Sequence, residues 1–308
     1  MRKLVLSVVA ATGLIAPAFA ADVMAPKKAA PVVAAPATPV FDIAFGGAVM
    51  SDYNFRGVSQ SNRGPSGGAY IEPQVNIPVG TIYVGVAGWG IDWPTALGFT
   101  SPSAEIDFYG GWRNAWGAFS VDLGAIYYFY PRETFNGATA ESDFWEIYAK
   151  LGYAITPDLS VGANVFYTPD LLHYSTAFGA VPGVSTKAPA TYASLTGKWV
   201  LPWKANDVGA FISGEVGHWW IDSSGFVNPL VVAAFGLTGV DPSYTYFNVG
   251  LAFTYKAVTL DLRYHGTDVG TTKCSSFLLV GVANNAARWC NDTFIAALKF
   301  DTTVNALK

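Results

Sequence analysis

The sequence predicts an all-β protein, a transmembrane antiparallel β-barrel of about twelve strands with short periplasmic turns and long extracellular loops. Three observations carry that prediction. Apolar and polar residues alternate with a period of two from Phe41 onward, as in strands with one apolar and one polar face. The connections between these segments alternate short and long along the chain, as barrel turns and loops do. Tryptophans gather beside the connections, where an indole keeps its ring in hydrocarbon and its N–H in water.

Composition narrows the alternatives. Of 308 residues, 51% are hydrophobic and only 13% charged, which is unlike a disordered chain. The balance of 18 Lys+Arg against 22 Asp+Glu, net −4, lacks the basic footprint of a nucleic-acid binder. A helical membrane protein would need spans of roughly 18 or more apolar residues. The only long uncharged run past the N-terminus, 223–240, is broken by Asn228, Pro229 and three glycines. High apolarity without apolar runs is stored by alternation.

The N-terminus reads as an export signal over 1–20. Arg2 and Lys3 give a basic start, Leu4 to Ile15 an apolar stretch, and Ala18-Phe19-Ala20 a small-x-small cleavage site. Segment 21–40 is Ala/Pro-rich and reads as a stiff, extended periplasmic linker. The barrel is expected over 41–308.

Each strand follows from its alternation. Ile43, Phe45, Val49, Tyr53 and Phe55 oppose Asp42, Asp52, Asn54 and Arg56. Ile71, Val75 and Ile77 oppose Glu72, Gln74 and Asn76, and Ile82, Val84 and Val86 follow together. Ile106, Phe108 and Trp112 oppose Glu105, Asp107 and Arg113; Phe119, Val121 and Leu123 oppose Ser120, Asp122 and Tyr128. Trp145, Ile147, Leu151 and Tyr153 oppose Glu146, Tyr148 and Lys150, and Leu159, Val161 and Val165 oppose Ser160 and Asn164. Leu195 and Trp199 oppose Ser194 and Lys198, and Ile212 and Val216 oppose Ser213 and Glu215. Phe247, Val249 and Leu251 oppose Asn248, and Leu260, Leu262 and Tyr264 oppose Asp261, Arg263 and His265. In the last segment Phe294, Leu298 and Phe300 oppose Lys299, with Ile295 on the polar face.

Short connections are expected at 78–80, 114–115, 156–158, 201–207 and 256–257. Long ones are expected at 58–68, 91–103, 131–141, 169–189, 221–242 and 267–291. This parity places both chain ends on the periplasmic side. Trp112, Trp116, Trp199 and Trp203 lie beside short turns, and Trp89, Trp93, Trp145, Trp219 and Trp220 beside long loops, which predicts two girdles. The apolar stretch Leu230 to Leu237 is unusual for such a loop and could pack into the mouth or mark an error in the strand count. Phe300 is a candidate for the terminal aromatic read by the barrel-insertion machinery, although 301–308 follow it. Cys274 and Cys290, the only cysteines, share the last long loop, and an exported chain is expected to join them in a disulfide.

The segment Ser51 to Asn62, SDYNFRGVSQSN, resembles the signature of the TorF family of bacterial porins. Further stretches are similar to rhizobial-type members: GIDWP at 90–94, SAEIDFYGG at 103–111, DFWE at 143–146 and TLDLRY at 259–264. The resemblance implies a barrel in the bacterial outer membrane, surrounded by lipid and lipopolysaccharide, that passes small solutes.

Candidate pore-lining residues are Asp52, Asn54, Arg56, Glu72, Glu105, Asp107, Arg113, Glu146, Lys150, Asp261 and Arg263, all on the polar parity of their segments. Such groups either bias which ions pass or pair across the interior and fill it. The inward tally leans acidic, which predicts a weakly cation-preferring channel of low specificity. Twelve strands lie between barrels filled by their own side chains and open porins, so inward Tyr109, Tyr128, Tyr130, Tyr148 and Tyr192, or an inward-folded loop, could still block the passage. A closed barrel acting as adhesin or envelope-structural protein is the alternative. A lipid-modifying enzyme would need a nucleophile and base facing lipid. Of His173, His218 and His265 only His218 has that parity, so no catalytic site, metal or cofactor is assigned. The oligomeric state is not legible in the sequence.

Overall fold

The computed structural model describes residues 40–93, 102–132, 134–135, 138–139, 142–173, 187–222, 241–270, 274 and 289–308. The export signal over 1–20, almost all of the 21–40 linker and the Leu230 to Leu237 stretch lie outside the described residues. Twelve strands form the barrel: β1 Phe41–Met50, β2 Ser66–Ile77, β3 Gly80–Gly90, β4 Ala104–Trp116, β5 Phe119–Phe129 and β6 Phe144–Ala154. The second half comprises β7 Leu159–Thr168, β8 Ala190–Ala205, β9 Val208–Ile221, β10 Tyr244–Tyr255, β11 Val258–Thr267 and β12 Thr293–Thr303. Each strand pairs antiparallel with its sequence neighbours, and β12 returns to β1 through Ala44↔Thr303 to Met50↔Ala297, so the sheet closes.

Closure answers the backbone problem. In hydrocarbon every N–H and C=O must be paired, and a closed ladder leaves no edge. The outward face is apolar: Val84 is 60% exposed, Leu195 64%, and Phe294 63%. Water would not tolerate such a belt around a monomer, whereas lipid solvates it. The inward face carries the acids and bases, with Glu72, Asp107 and Glu146 fully buried.

The turns at one rim are tight, at 78–79, 117–118, 155–158, 206–207 and 256–257, and the strand ends at the other rim are those joined by the long connections. The parity expected from the sequence therefore holds, with some boundaries moved. β4 runs on to Trp116 and turns at Gly117, whose φ of +61° suits glycine. β8 runs on to Ala205 through an irregularity between Val200 and Lys204, so the expected 201–207 connection is mostly strand. β12 continues to Thr303 while keeping Phe300 on the outer face.

Two expectations are overturned. β1 ends at Met50, and residues 51–65 fold inward instead of continuing the strand. Tyr53, expected on the lipid face, is completely buried and accepts a backbone hydrogen bond at its carbonyl from the Gln60 N–H. The loop-end tryptophan girdle is only partly realised. Trp145 and Trp220 face outward at 43% and 52% exposure, but Trp89 and Trp219 are buried inside the barrel. Trp93 also turns inward, against Tyr130. At the turn end Trp116, Trp199 and Trp203 face outward as expected. Cys274 and Cys290 form the expected disulfide, with Cα atoms 5.9 Å apart.

Candidate functional site: the barrel lumen

The loop end of the lumen is built around the inward segment 51–65. Its shape comes from short polar side chains closing on nearby backbone, chemistry that favours turns over strands. Asp52 accepts hydrogen bonds from the hydroxyls of Ser59 (2.6 Å) and Ser61 (3.1 Å), and Arg63 Nη1 stands 3.4 Å from the same carboxylate. Burial pushes the Asp52 carboxyl up from its usual range, opposed by Ser59, Arg63 and Ser61. The Tyr53 N–H donates to Ser61 Oγ, and the Gly57 N–H to Asn54 Oδ1. Arg56 and Gly57 have φ of +48° and +91°, so the chain reverses sharply there. The reversal aims Arg56 sideways into the wall.

There the Arg56 guanidinium donates two parallel hydrogen bonds to Glu146 of β6, at 2.8 and 2.9 Å. Four rings surround its central carbon: Tyr192 at 4.4 Å, Trp219 at 4.5 Å, Phe55 at 4.7 Å and Phe166 at 4.8 Å. The Tyr244 hydroxyl donates to the Arg56 carbonyl at 2.9 Å, and the Tyr128 hydroxyl to Glu146. Beside this group the Tyr53 and Tyr130 hydroxyls both donate to Glu105. The Trp93 indole donates to Gln60 Oε1 at 2.9 Å, tying the next loop to the same segment.

The turn end is built from wall residues alone. Arg113 of β4 donates to Glu72 of β2. The Tyr83 hydroxyl donates to Asp122 and lies 2.6 Å from the Tyr148 hydroxyl. Opposite, Asp261 accepts from Lys299 (2.9 Å) and Arg263 (3.2 Å), and Arg263 also reaches Ser213 Oγ at 2.7 Å. Lys150 lies over the Tyr148 and Phe166 rings at 4.6 and 5.4 Å.

Glycines make room for the rings. A Cβ at Gly85 would collide with the Tyr109 ring, and one at Gly217 with the Tyr192 ring, so each tyrosine lies along the wall where its neighbour has no side chain.

The eleven candidate lining residues all point into the barrel, but for two different reasons. Glu72, Glu105, Asp107, Arg113, Glu146, Lys150, Asp261 and Arg263 do so as strand residues of the expected parity. Asp52, Asn54 and Arg56 do so as part of the folded-in segment, so the expected strand ladder of these three is corrected. The structure pairs Arg56 with Glu146, Arg113 with Glu72, and Arg263 with Asp261. Glu105 and Asp107 make no ion pair among the described residues. Sequence reasoning missed Ser59, Ser61, Gln60, Phe166, Trp219 and Tyr244; for Trp219 the signal was present, since it shares parity with Ser213 and Glu215. Of the histidines, His265 is interior and hydrogen-bonded with Tyr246, and His173 sits in the short turn Leu171–His173. His218 is part-buried on the outward parity, 3.0 Å from Thr245 Oγ1.

A closed twelve-strand barrel with an apolar belt outside and charged groups within defines an outer-membrane β-barrel, of the porin-like class. Residues 34–180 match the family Gcw_chp, described as a bacterial protein of unknown function. Among solved structures the chain is similar to the NanC porin, at 10% identity over 84% of this chain and 98% of that one, with a TM-score of 0.46. It is similar to the KdgM porin at 10% identity over 84% and 98%, TM-score 0.41. It is also similar to LpxR from Salmonella typhimurium at 8% identity over 84% and 99%, TM-score 0.39. No curated protein matches the chain.

Proposed function

We propose that the protein is a narrow outer-membrane channel for small hydrophilic solutes and ions, with a weak preference for cations. The observation that carries this reading is the interior itself. A barrel serving only as an anchor has no need of acids, bases and tyrosine hydroxyls along its whole inner wall, whereas a path for hydrated solutes does. The cation preference rests on the inward residues of the sequence taken together, among which Asp and Glu outnumber Lys and Arg. The resemblance of residues 51–62 to TorF porins points the same way.

One observation favours a second reading, a closed barrel serving as adhesin or envelope component. Arg56 is 2% exposed and Glu146 is fully buried, so the folded-in segment packs tightly against the wall. The deciding experiment is single-channel recording of the refolded mature chain in a planar bilayer under a KCl gradient. Reproducible steps with a reversal potential displaced toward potassium are expected. Silence from a barrel that is demonstrably folded selects the closed reading, and a chloride-favouring potential removes the cation preference.

A further inference from the structure

We propose that Glu146, Phe166, Tyr192 and Trp219 form a guanidinium-binding site in the wall of the lumen, filled in this structure by the protein's own Arg56. Segment 51–65 is then a tethered ligand that narrows the passage while Arg56 is seated. The inference goes beyond the channel reading given above and rests on it only for the effect on passage.

The wall half of this site is complete without the loop. Its members come from four successive strands, β6 to β9, whose relative positions the ladders fix. A carboxylate with two oxygens facing the fork matches a guanidinium, as the paired 2.8 and 2.9 Å bonds demonstrate. Aromatic faces supply the rest, since a weakly hydrated planar cation is well matched to ring faces.

The occupant differs in kind from the wall. Arg56 belongs to a connection whose tip is held by the guanidinium contacts, by Tyr244 on its carbonyl and by internal turns. Arg113, by contrast, reaches its acid from a strand that cannot leave. A tethered group acts at an effective concentration on the order of millimolar. Free guanidinium compounds therefore compete poorly with the intact loop and well once Arg56 is removed. The ligand class is a small guanidinium-bearing cation; an alkylammonium offers a point charge without the two-pronged fit.

The test is chemical complementation. Wild type, Arg56→Ala and the double variant Arg56→Ala/Glu146→Gln are refolded, with closure checked by strand-type circular dichroism and heat-modifiable gel mobility. Each is titrated calorimetrically with ethylguanidinium chloride, with ethylammonium chloride as the control. Arg56→Ala is expected to bind ethylguanidinium, and to bind ethylammonium more weakly. The double variant is expected to bind roughly tenfold to a hundredfold more weakly, the range set by losing a charge-assisted pair. Wild type binds more weakly than Arg56→Ala because its site is filled. In bilayers Arg56→Ala carries a larger unit current than wild type, and ethylguanidinium reduces it.

Absence of binding to Arg56→Ala, or equal binding by single and double variants, overturns the site. Binding with the expected pattern but no current from any variant leaves the site standing and defeats the channel reading. Should Arg56→Ala fail to fold, Arg56→Gln retains a polar side chain of similar reach without the cation and takes its place, with the same outcomes.

Discussion

At the turn end of the lumen, charge is matched wall to wall, whereas at the loop end the wall is matched by a folded-in segment. Glu72 meets Arg113, and Asp261 meets Arg263 and Lys299, with every partner locked in a strand. Glu146 meets Arg56, and Glu105 meets Tyr53, with one partner of each pair on residues 51–65. The same chemistry thus has two consequences. Wall-to-wall pairs brace the barrel, because both partners are fixed to strands of the closed ladder. Wall-to-loop pairs instead seat a connecting segment that belongs to no barrel ladder, so its place depends on these side-chain contacts.

The largest expected difference comes from removing one cation at each end. Arg113→Ala strands Glu72 in a fully buried position and is expected to cost about 3–5 kcal/mol, read as a lower midpoint in urea unfolding from lipid vesicles. Arg56→Ala is expected to cost clearly less, because water can follow the loop out and solvate Glu146. Equal losses would erase the distinction between the two ends.

Next is the disulfide, which braces the loop end from outside the ladder. Reduction, or the paired Cys274→Ala/Cys290→Ala change, removes a closure of 16 residues and is expected to lower stability by roughly 3 kcal/mol in the chain-entropy account. Thermal melts with and without reductant give the comparison, and an unchanged melt would show that the last loop is held by its other contacts. The smallest effect is expected at Tyr53→Phe. Glu105 keeps its Tyr130 donor, so the loss is about 1–3 kcal/mol, and the change belongs to the segment's seating. Unit conductance that rises with a midpoint shift no larger than this would sharpen the comparison; a larger fall in midpoint with unchanged conductance would break it.

The strands were legible because burial in a barrel is binary. Each side chain faces lipid or lumen, and alternation records the choice, as at Phe247, Val249 and Leu251 against Asn248. The segment 51–56 mimics a strand in sequence because its residues also alternate, Asp52, Asn54 and Arg56 against Tyr53 and Phe55. Alternation cannot distinguish a strand with one lipid face from a segment enclosed on every side. The hydroxyls of Ser59 and Ser61, which close onto Asp52, and Gly57 after Arg56 were the local signs of a turn. Trp89 and Trp219 depart from the girdle because strand parity, and not nearness to a loop, decides which face a ring takes. Trp89 shares parity with Tyr83 and Ala87, and Trp219 with Glu215, all of them inward. The partners of Arg56 were beyond reach, since Glu146, Phe166, Tyr192 and Trp219 meet only once four strands are in register.

The glycines beneath Tyr109 and Tyr192 have a consequence for the space left inside the barrel. A ring that occupies the place of a missing neighbour's side chain is laid along the wall like a tile, adding its thickness and not its length to the radius lost. Tyr109 over Gly85 and Tyr192 over Gly217 are tiles of this kind. A single methyl group at either glycine would tip its tile toward the barrel axis. Calibre in this barrel is therefore written in its smallest residues as much as in its largest, and an alanine can act there as a throttle.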